Sequence, residues 1–301
     1  MERQQALTGS LLIVVAAGCW AFFPILTRYI YRVEDIAPLN MAFWRFVIAV
    51  ALAWILVLLR GRGQLSEVMQ LSRQQVMVLL GLGAIFSMAA LTAVMSLEFV
   101  PASTHILLFY TFPSMVAVIS WFLGERLNAV KWIAIGVALL GCALTVGGEI
   151  EIEKPIYLTL PLLNALAIAV YMVVAGRYNR TSGLASGAVS MTGTLIAIFV
   201  MAAISGIRVP QANEARLALV GQASFSTMLP IVITFVALTY INATHASIVN
   251  TIEPVFVIIL AGILLDESVG PMQLLGGSLI IASVIFLHIP MRRRMVVQPQ
   301  Q

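Results

Sequence analysis

Charge is scarce in this chain. Asp, Glu, Lys and Arg make up 10% of its 301 residues, less than half the roughly 25% of an ordinary soluble domain. A soluble globule with so few charges could not clothe its surface. A chain that is 61% hydrophobic would also collapse rather than stay disordered. Cysteine is nearly absent: Cys19 and Cys142 stand alone in apolar runs, outside any CxxC pair, so zinc and disulfide frameworks have no support. Both read as small packing residues. The glycine-rich turns Gly81-Leu-Gly83 and Gly276-Gly277 carry no Walker lysine and follow no strand, so they are not phosphate loops. They read instead as places where helices approach closely. His-Glu-x-x-His and convergent Ser/His or Asp/Asp sets are missing too. No catalytic residue, metal site or cofactor is therefore expected. The net charge of +4 rests on 17 scattered Lys and Arg that form no groove or patch, which removes nucleic acid as a partner.

What the chain has is long apolar runs, and its mean hydropathy is +1.01. Charges, Pro and Gly delimit ten: Leu7–Tyr29, Pro38–Leu59, Gln75–Leu97, Ala102–Phe122, Val130–Gly147, Ile156–Gly176, Gly183–Ile204, Ala215–Ile241, Ala243–Leu264 and Pro271–Ile289. Each is close to the roughly 20 residues that cross a bilayer. The lipid bilayer is thus the expected surrounding, and the first run reads as an uncleaved anchor. Two double runs are separated only at Pro101 and near Asn242. With the N-terminus inside, eleven Lys and Arg fall on the inner side, five on the outer side, and Arg45 within the second span. The positive-inside bias then places both termini in the cytoplasm. The acidic loop Glu149, Glu151, Glu153 falls outside. The sequons Asn179-Arg-Thr181 and Asn242-Ala-Thr244 fall inside and are discounted.

The chain also resembles itself. Val100-Pro-Ala-Ser-Thr-His-Ile-Leu-Leu-Phe-Tyr-Thr-Phe-Pro113 in the fourth span aligns with Ile241-Asn-Ala-Thr-His-Ala-Ser-Ile-Val-Asn-Thr-Ile-Glu-Pro254 in the ninth. Leu-Gly-Glu125 and Leu-Asp-Glu267 follow the two prolines at 12 and 13 residues. Trp20-Ala21 precedes Arg28-Tyr29 by eight residues, as Ala169-Val170 precedes Arg177-Tyr178. A repeat of five spans is odd-numbered, so its second copy enters the membrane inverted, an arrangement typical of secondary transporters. The expected fold is all-α integral membrane, with ten transmembrane helices as two inverted five-helix repeats. The first repeat covers residues 1–150 and the second 151–290, with a cytoplasmic tail at 291–301.

Against so apolar a background the few intramembrane polar groups stand out. Glu253 lies mid-span, where a carboxylate costs about 2.5–3.5 kcal/mol on insertion scales and ordinarily faces an interior. Ala246, Asn250, Glu253 and Val257 share one helical face; His105, Phe109, Phe112 and Val116 are the equivalent face of the other copy. Superposed, they make a pocket with a carboxylate or imidazole to bind or exchange a charge, and aromatic faces for an apolar or cationic group. Trp20, Tyr110 and Tyr171 are further candidates for its wall. Pro24, Pro113 and Pro254 free backbone carbonyls and are candidate kinks or gates. Each has a plainer reading. Glu253 caps the helix disrupted at Pro254 or pairs with Arg45. His105 is an interfacial histidine satisfied by water or backbone. Trp20 packs on a neighbouring helix. Arg45 is a structural ion-pair partner or snorkels to the headgroups. Ser87, Asn164, Ser190, Ser226 and Thr227 are lesser handles, since Ser and Thr usually bond their own helix. His245 and His288 lie at span ends.

These residues resemble the drug/metabolite transporter superfamily in its ten-span, EamA-type form. Thr251-Ile-Glu-Pro-Val-Phe256, Leu-Asp-Glu267 and Gly276 carry the resemblance, and Thr111-Phe-Pro-Ser-Met115, Leu-Gly-Glu125 and Gly141 repeat it. Trp20-Ala21 and Trp44-Arg45-Phe46 also fit. The likeness spans about residues 7–290, with one departure: Phe112 stands where the second copy has Glu253. Within the superfamily the chain is similar to bacterial exporters of aromatic and neutral amino acids. The resemblance implies a multi-pass protein of the bacterial inner membrane that exports small metabolites by alternating access, without enzymatic activity. Purines, drugs and other solutes are the alternative cargo. An intramembrane enzyme would need a catalytic set, and a receptor would need extramembrane domains. Protons are a candidate coupling ion, and a monomer is sufficient.

Overall fold

The computed structural model describes residues 2–60, 62–124, 129–147, 153–178, 184–237, 240–241, 249–250 and 252–288. Glu149, Glu151, both sequons, His245, Ala246 and the 291–301 tail lie outside these. Among the described residues every regular element is helical: α1 Glu2–Val33, α2 Pro38–Leu59, α3 Arg62–Gln70, α4 Arg73–Phe99, α5 Ala102–Phe109, α6 Phe112–Phe122, α7 Ala129–Gly147, α8 Thr159–Tyr178, α9 Leu184–Ser205, α10 Asn213–Ala223, α11 Leu229–Ala237, α12 Glu253–Leu265 and α13 Pro271–His288. Eight helical stretches are long and apolar enough to cross a membrane, and two shorter apolar helices, Glu253–Leu265 and Pro271–Phe286, follow them. Large apolar side chains such as Ile133, Leu139 and Leu140 stay exposed along α7. In lipid, unlike water, such exposure costs nothing.

The helix boundaries follow local chemistry. Pro38 opens α2 at its first turn, where the missing N–H would be unpaired in any case. Ser72 and Gln75 form a capping box at the start of α4, with Gln75 N–H donating to Ser72 Oγ at 3.2 Å and Ser72 N–H to Gln75 Oε1 at 2.8 Å. Pro101 separates α4 from α5, as its sequence position predicts. The fourth span is itself broken. α5 ends at Phe109, and Pro113 sits in the first turn of α6. The residue before α6, Thr111, has φ −74° and ψ −13°; Ile252, before α12, has −73° and −19°, again with a proline in the first turn. The residue that precedes each of these two helices thus has the same backbone conformation. Pro24, in contrast, lies within an unbroken α1.

α1 packs on α10, α11 and α12, and α8 packs on α4, α5 and α6. α2 meets α9, and α7 meets α13. Close approach depends on glycine at two of these contacts. A Cβ on Gly141 would lie 2.6 Å from the Gly276 carbonyl oxygen across the α7–α13 contact, and one on Gly83 would run into the Ser190 carbonyl where α4 meets α9. One feature has no sequence signal: between α10 and α11 the backbone widens into a π turn over Ser224–Met228. Ser226 and Thr227 hydroxyls both donate to the Gln222 carbonyl, at 3.0 and 2.9 Å.

Charges gather where the ends of α1 and α12 meet the start of α5. Asp266, in the left-handed region at φ 57°, terminates α12, and Glu267 follows immediately. The Glu267 carboxylate accepts Ala102 N–H at 2.9 Å, Ser103 N–H at 3.0 Å and Ser103 Oγ–H at 2.8 Å, so it caps α5 from a distance of 165 residues in sequence. Arg28 Nε lies 3.7 Å from the same carboxylate, while its Nη1 donates to Leu97 and Glu98 carbonyls. Arg32 Nη2 donates to the Leu265 carbonyl at 2.6 Å, which neutralises the end of α12.

Candidate functional site

A cavity of about 440 Å³ opens within the helical bundle. α1, α2, α4, α5, α8, α9, the π turn and the start of α12 all contribute to its wall. Trp20, His105, Phe109, Tyr110, Phe112, Tyr171, Asn250 and Glu253 all lie on it, whereas Ser87, Val116 and Val257 do not. Pro24 and Arg45 line it as well. Pro113 and Pro254 do not; they sit one residue after Phe112 and Glu253 and set the helix breaks that present those side chains.

The breaks explain the geometry at Glu253. This residue opens α12, so its carboxylate lies at the positive end of the helix dipole. Tyr110, at the end of α5, donates its hydroxyl to Glu253 Oε2 at 2.9 Å and approaches the Asn250 carbonyl oxygen at the same distance. Asn250 Nδ2 donates to the same carboxylate oxygen at 3.1 Å. The carboxylate is held by two neutral donors and one helix terminus, and no cation pairs with it among the described residues. Because Tyr110 and Asn250 come from the two halves of the chain, this small network ties the halves together at the cavity.

His105 is 3% exposed, and its Nδ1 lies 2.9 Å from Ser96 Oγ. It is therefore buried against α4, with a side-chain hydroxyl as its partner rather than backbone. Its ring stacks on Phe109 at 6.1 Å, and Phe109 in turn touches Tyr110 and Phe112. On the facing helices, Phe86 meets Tyr171 edge to face at 5.2 Å. Asn164, on α8, donates to the Ala89 carbonyl of α4 at 2.7 Å, a bond between helices.

Arg45 differs most from expectation. It has no ion pair among the described residues and does not reach a surface, being 5% exposed. Its guanidinium carbon instead lies over the rings of Phe23 at 4.5 Å and Phe46 at 4.7 Å. Sequence reasoning missed these two rings together with Phe86. Phe46 adjoins Arg45, and Phe23 adjoins Pro24, but only the packing of α1 on α2 brings both to one cation.

A helical membrane protein with a polar-aromatic cavity among its spans is built to pass or hold a small molecule within the bilayer. The chain belongs to the EamA-like transporter family, whose profile matches residues 7–147 and again 155–289. It is 23% identical over 310 residues to the uncharacterized transporter sll1319 of Synechocystis sp. (strain ATCC 27184 / PCC 6803 / Kazusa), covering 94% of this chain and 93% of that one. A solved crystal structure shares the fold with a TM-score of 0.61 at 18% identity, over 92% of this chain and 95% of that one. The family is one of transporters, and that much of the function follows from membership.

Proposed function

We propose that this protein is a secondary transporter or facilitator exporting small metabolites, amino acids and among them aromatic and neutral ones foremost, across a bacterial inner membrane. Ten spans form two inverted five-helix halves with both termini cytoplasmic, and the halves rock about the cavity between them. The packing supports the division. The first crossing meets the eighth and ninth, as the sixth meets the third and fourth; the second meets the seventh, and the fifth meets the tenth. Exchanging each crossing with the one five further on leaves these contacts unchanged, as a pseudo-two-fold axis requires. The twofold match of the family profile fits the same division. One chain supplies both halves, so a monomer is sufficient.

The observation that carries the substrate class is Glu253. An uncompensated carboxylate in a cavity walled by Trp20, Phe109, Tyr110 and Phe112 suits an ammonium group beside an apolar or aromatic body. The test is flux of labelled amino acids through the purified chain in liposomes, with purines and cationic drugs in the same panel. Downhill flux of aromatic and neutral amino acids is expected. If none moves in either direction under any gradient, the amino-acid reading falls. Glu253 is also the candidate proton carrier. Glu253→Gln should abolish proton-driven uphill exchange while downhill flux continues at a higher KM; loss of both alike, or of neither, would remove that role.

A further inference from the structure

We infer that Arg45 is the anchor for a carboxylate on the transported molecule, a site that would make the cavity selective for compounds carrying both an acid and an amine. The inference rests on the transporter reading above but not on amino acids being the cargo.

An arginine within a membrane span pairs with an acid, bonds backbone carbonyls, snorkels to the headgroups or faces an interior cavity. Arg45 is of the last kind. It is 5% exposed, has no carboxylate partner among the described residues, and belongs to the cavity wall. Phe23 and Phe46 stabilise its charge, but a ring face is not a lone pair. The guanidinium N–H groups lie in the plane of the group and still need acceptors. Nε and Nη1 are buried without any. Arg28 Nε is also buried without a hydrogen-bond acceptor, but it lies 3.7 Å from the Glu267 carboxylate and Arg28 Nη1 reaches two carbonyl oxygens, as Arg32 reaches one, whereas Arg45 has neither an acid nor a carbonyl among the described residues. A burial that leaves donors of a cation unmet is costly and is ordinarily kept only for function. Two aromatic contacts also hold the guanidinium carbon in place, and its fork of N–H donors is the geometry that accepts a carboxylate through two parallel hydrogen bonds. Lysine has the charge without the fork. Glu253 lines the same cavity, with no ion pair to Arg45. One cavity thus holds a carboxylate and a guanidinium on different helices with no ion pair between them, each able to take the opposite pole of a zwitterion.

The experiment uses the full chain in detergent or liposomes and three probes: phenylalanine, phenethylamine, which lacks the carboxylate, and 3-phenylpropionate, which lacks the amine. In the wild type, phenylalanine should bind at least tenfold more tightly than either fragment. Arg45→Gln should weaken phenylalanine and phenylpropionate at least tenfold and leave phenethylamine within about threefold. Arg45→Lys should show the same pattern with a smaller loss. Retained phenethylamine binding shows that the variants are folded. Should both variants fail to fold, wild-type protein still decides through modification of Arg45 by phenylglyoxal, followed by peptide mass spectrometry. Phenylpropionate, benzoate or another small carboxylate should protect Arg45, whereas phenethylamine should not. A uniform loss across all three probes, an unchanged phenylalanine affinity in Arg45→Gln, or modification that no carboxylate slows would each overturn the assignment. If carboxylates protect Arg45 but no amino acid is transported, the anchor stands and the amino-acid cargo falls.

Discussion

Two regions of this molecule handle charge in opposite ways. Where the ends of α1 and α12 meet the start of α5, Arg28, Arg32 and Glu267 satisfy one another and the helix termini. Glu267 alone accepts three hydrogen bonds and an ion pair. In the cavity, Arg45 and Glu253 both contribute to the lining, with no ion pair between them and with two donors of Arg45 unmet. The first region spends its charges on joining helices distant in sequence, the second holds them open to a third party. The difference shows why a charge within a membrane protein is not by itself evidence of a binding site. What distinguishes the sites is whether the partners are already present.

The largest effect tests the joined region. Glu267→Ala removes the cap of α5 and strands Arg28 beside a carboxylate that is no longer there. The Glu267 side chain is 8% exposed, so solvent cannot replace it cheaply. Removing one partner of such a buried pair costs about 3–5 kcal/mol. A fall of that size should appear in denaturant unfolding of the purified chain. A loss below about 1 kcal/mol would mean that the charges at this end hold nothing together, and the comparison would fail.

Tyr110→Phe tests the open region with a smaller perturbation. It deletes the hydroxyl that donates to Glu253 and keeps the ring that touches Phe109 and Phe112. One such hydrogen bond contributes about 0.5–1.5 kcal/mol to stability, so unfolding should change little. Affinity for an ammonium-bearing substrate should change, because Glu253 loses one of its two side-chain donors. Stability falling as far as in Glu267→Ala would show Tyr110 to be a structural clasp between the halves rather than part of a binding wall.

Much of this was legible in the sequence, and what was not has physical reasons. Apolar runs and punctuating prolines located the apolar helices, eight of them long enough to cross among the described residues, because lipid leaves a chain few ways to satisfy its backbone. The matched motifs pointed to Glu253 and the His105–Phe112 face, because a repeat aligns residues without any knowledge of packing. The pairing of charges was not legible. Leu-Asp-Glu267 was visible as a signature, but its target, the N-terminus of α5, lies 165 residues away in sequence. Arg45 was expected to find an acid and found two rings, since Phe23 and Phe46 come from different helices. The π turn at Ser224–Met228 follows from no residue preference, so Ser226 and Thr227 were readable only as minor handles.

The smallest effect is also the finest test. Arg32 donates to the Leu265 carbonyl at 2.6 Å, at the negative end of α12, and is largely exposed. A cation at an exposed helix C-terminus contributes about 0.3–1 kcal/mol, and added salt reduces it. Arg32→Gln can still donate a hydrogen bond but carries no charge. It should therefore lower stability by no more than about 1 kcal/mol, with the loss shrinking as salt is raised. Flux and substrate affinity should remain at wild-type values, since Arg32 does not line the cavity. Arg45→Gln, the same substitution on another helix that packs beside the cavity, should show the reverse: a large change in affinity for carboxylates. Two arginines exchanged for the same residue then report separately on the two regions. If Arg32→Gln altered substrate affinity as strongly as Arg45→Gln, the α1–α5–α12 end would be part of the transport machinery, and the division of labour between joined and open charges would not hold.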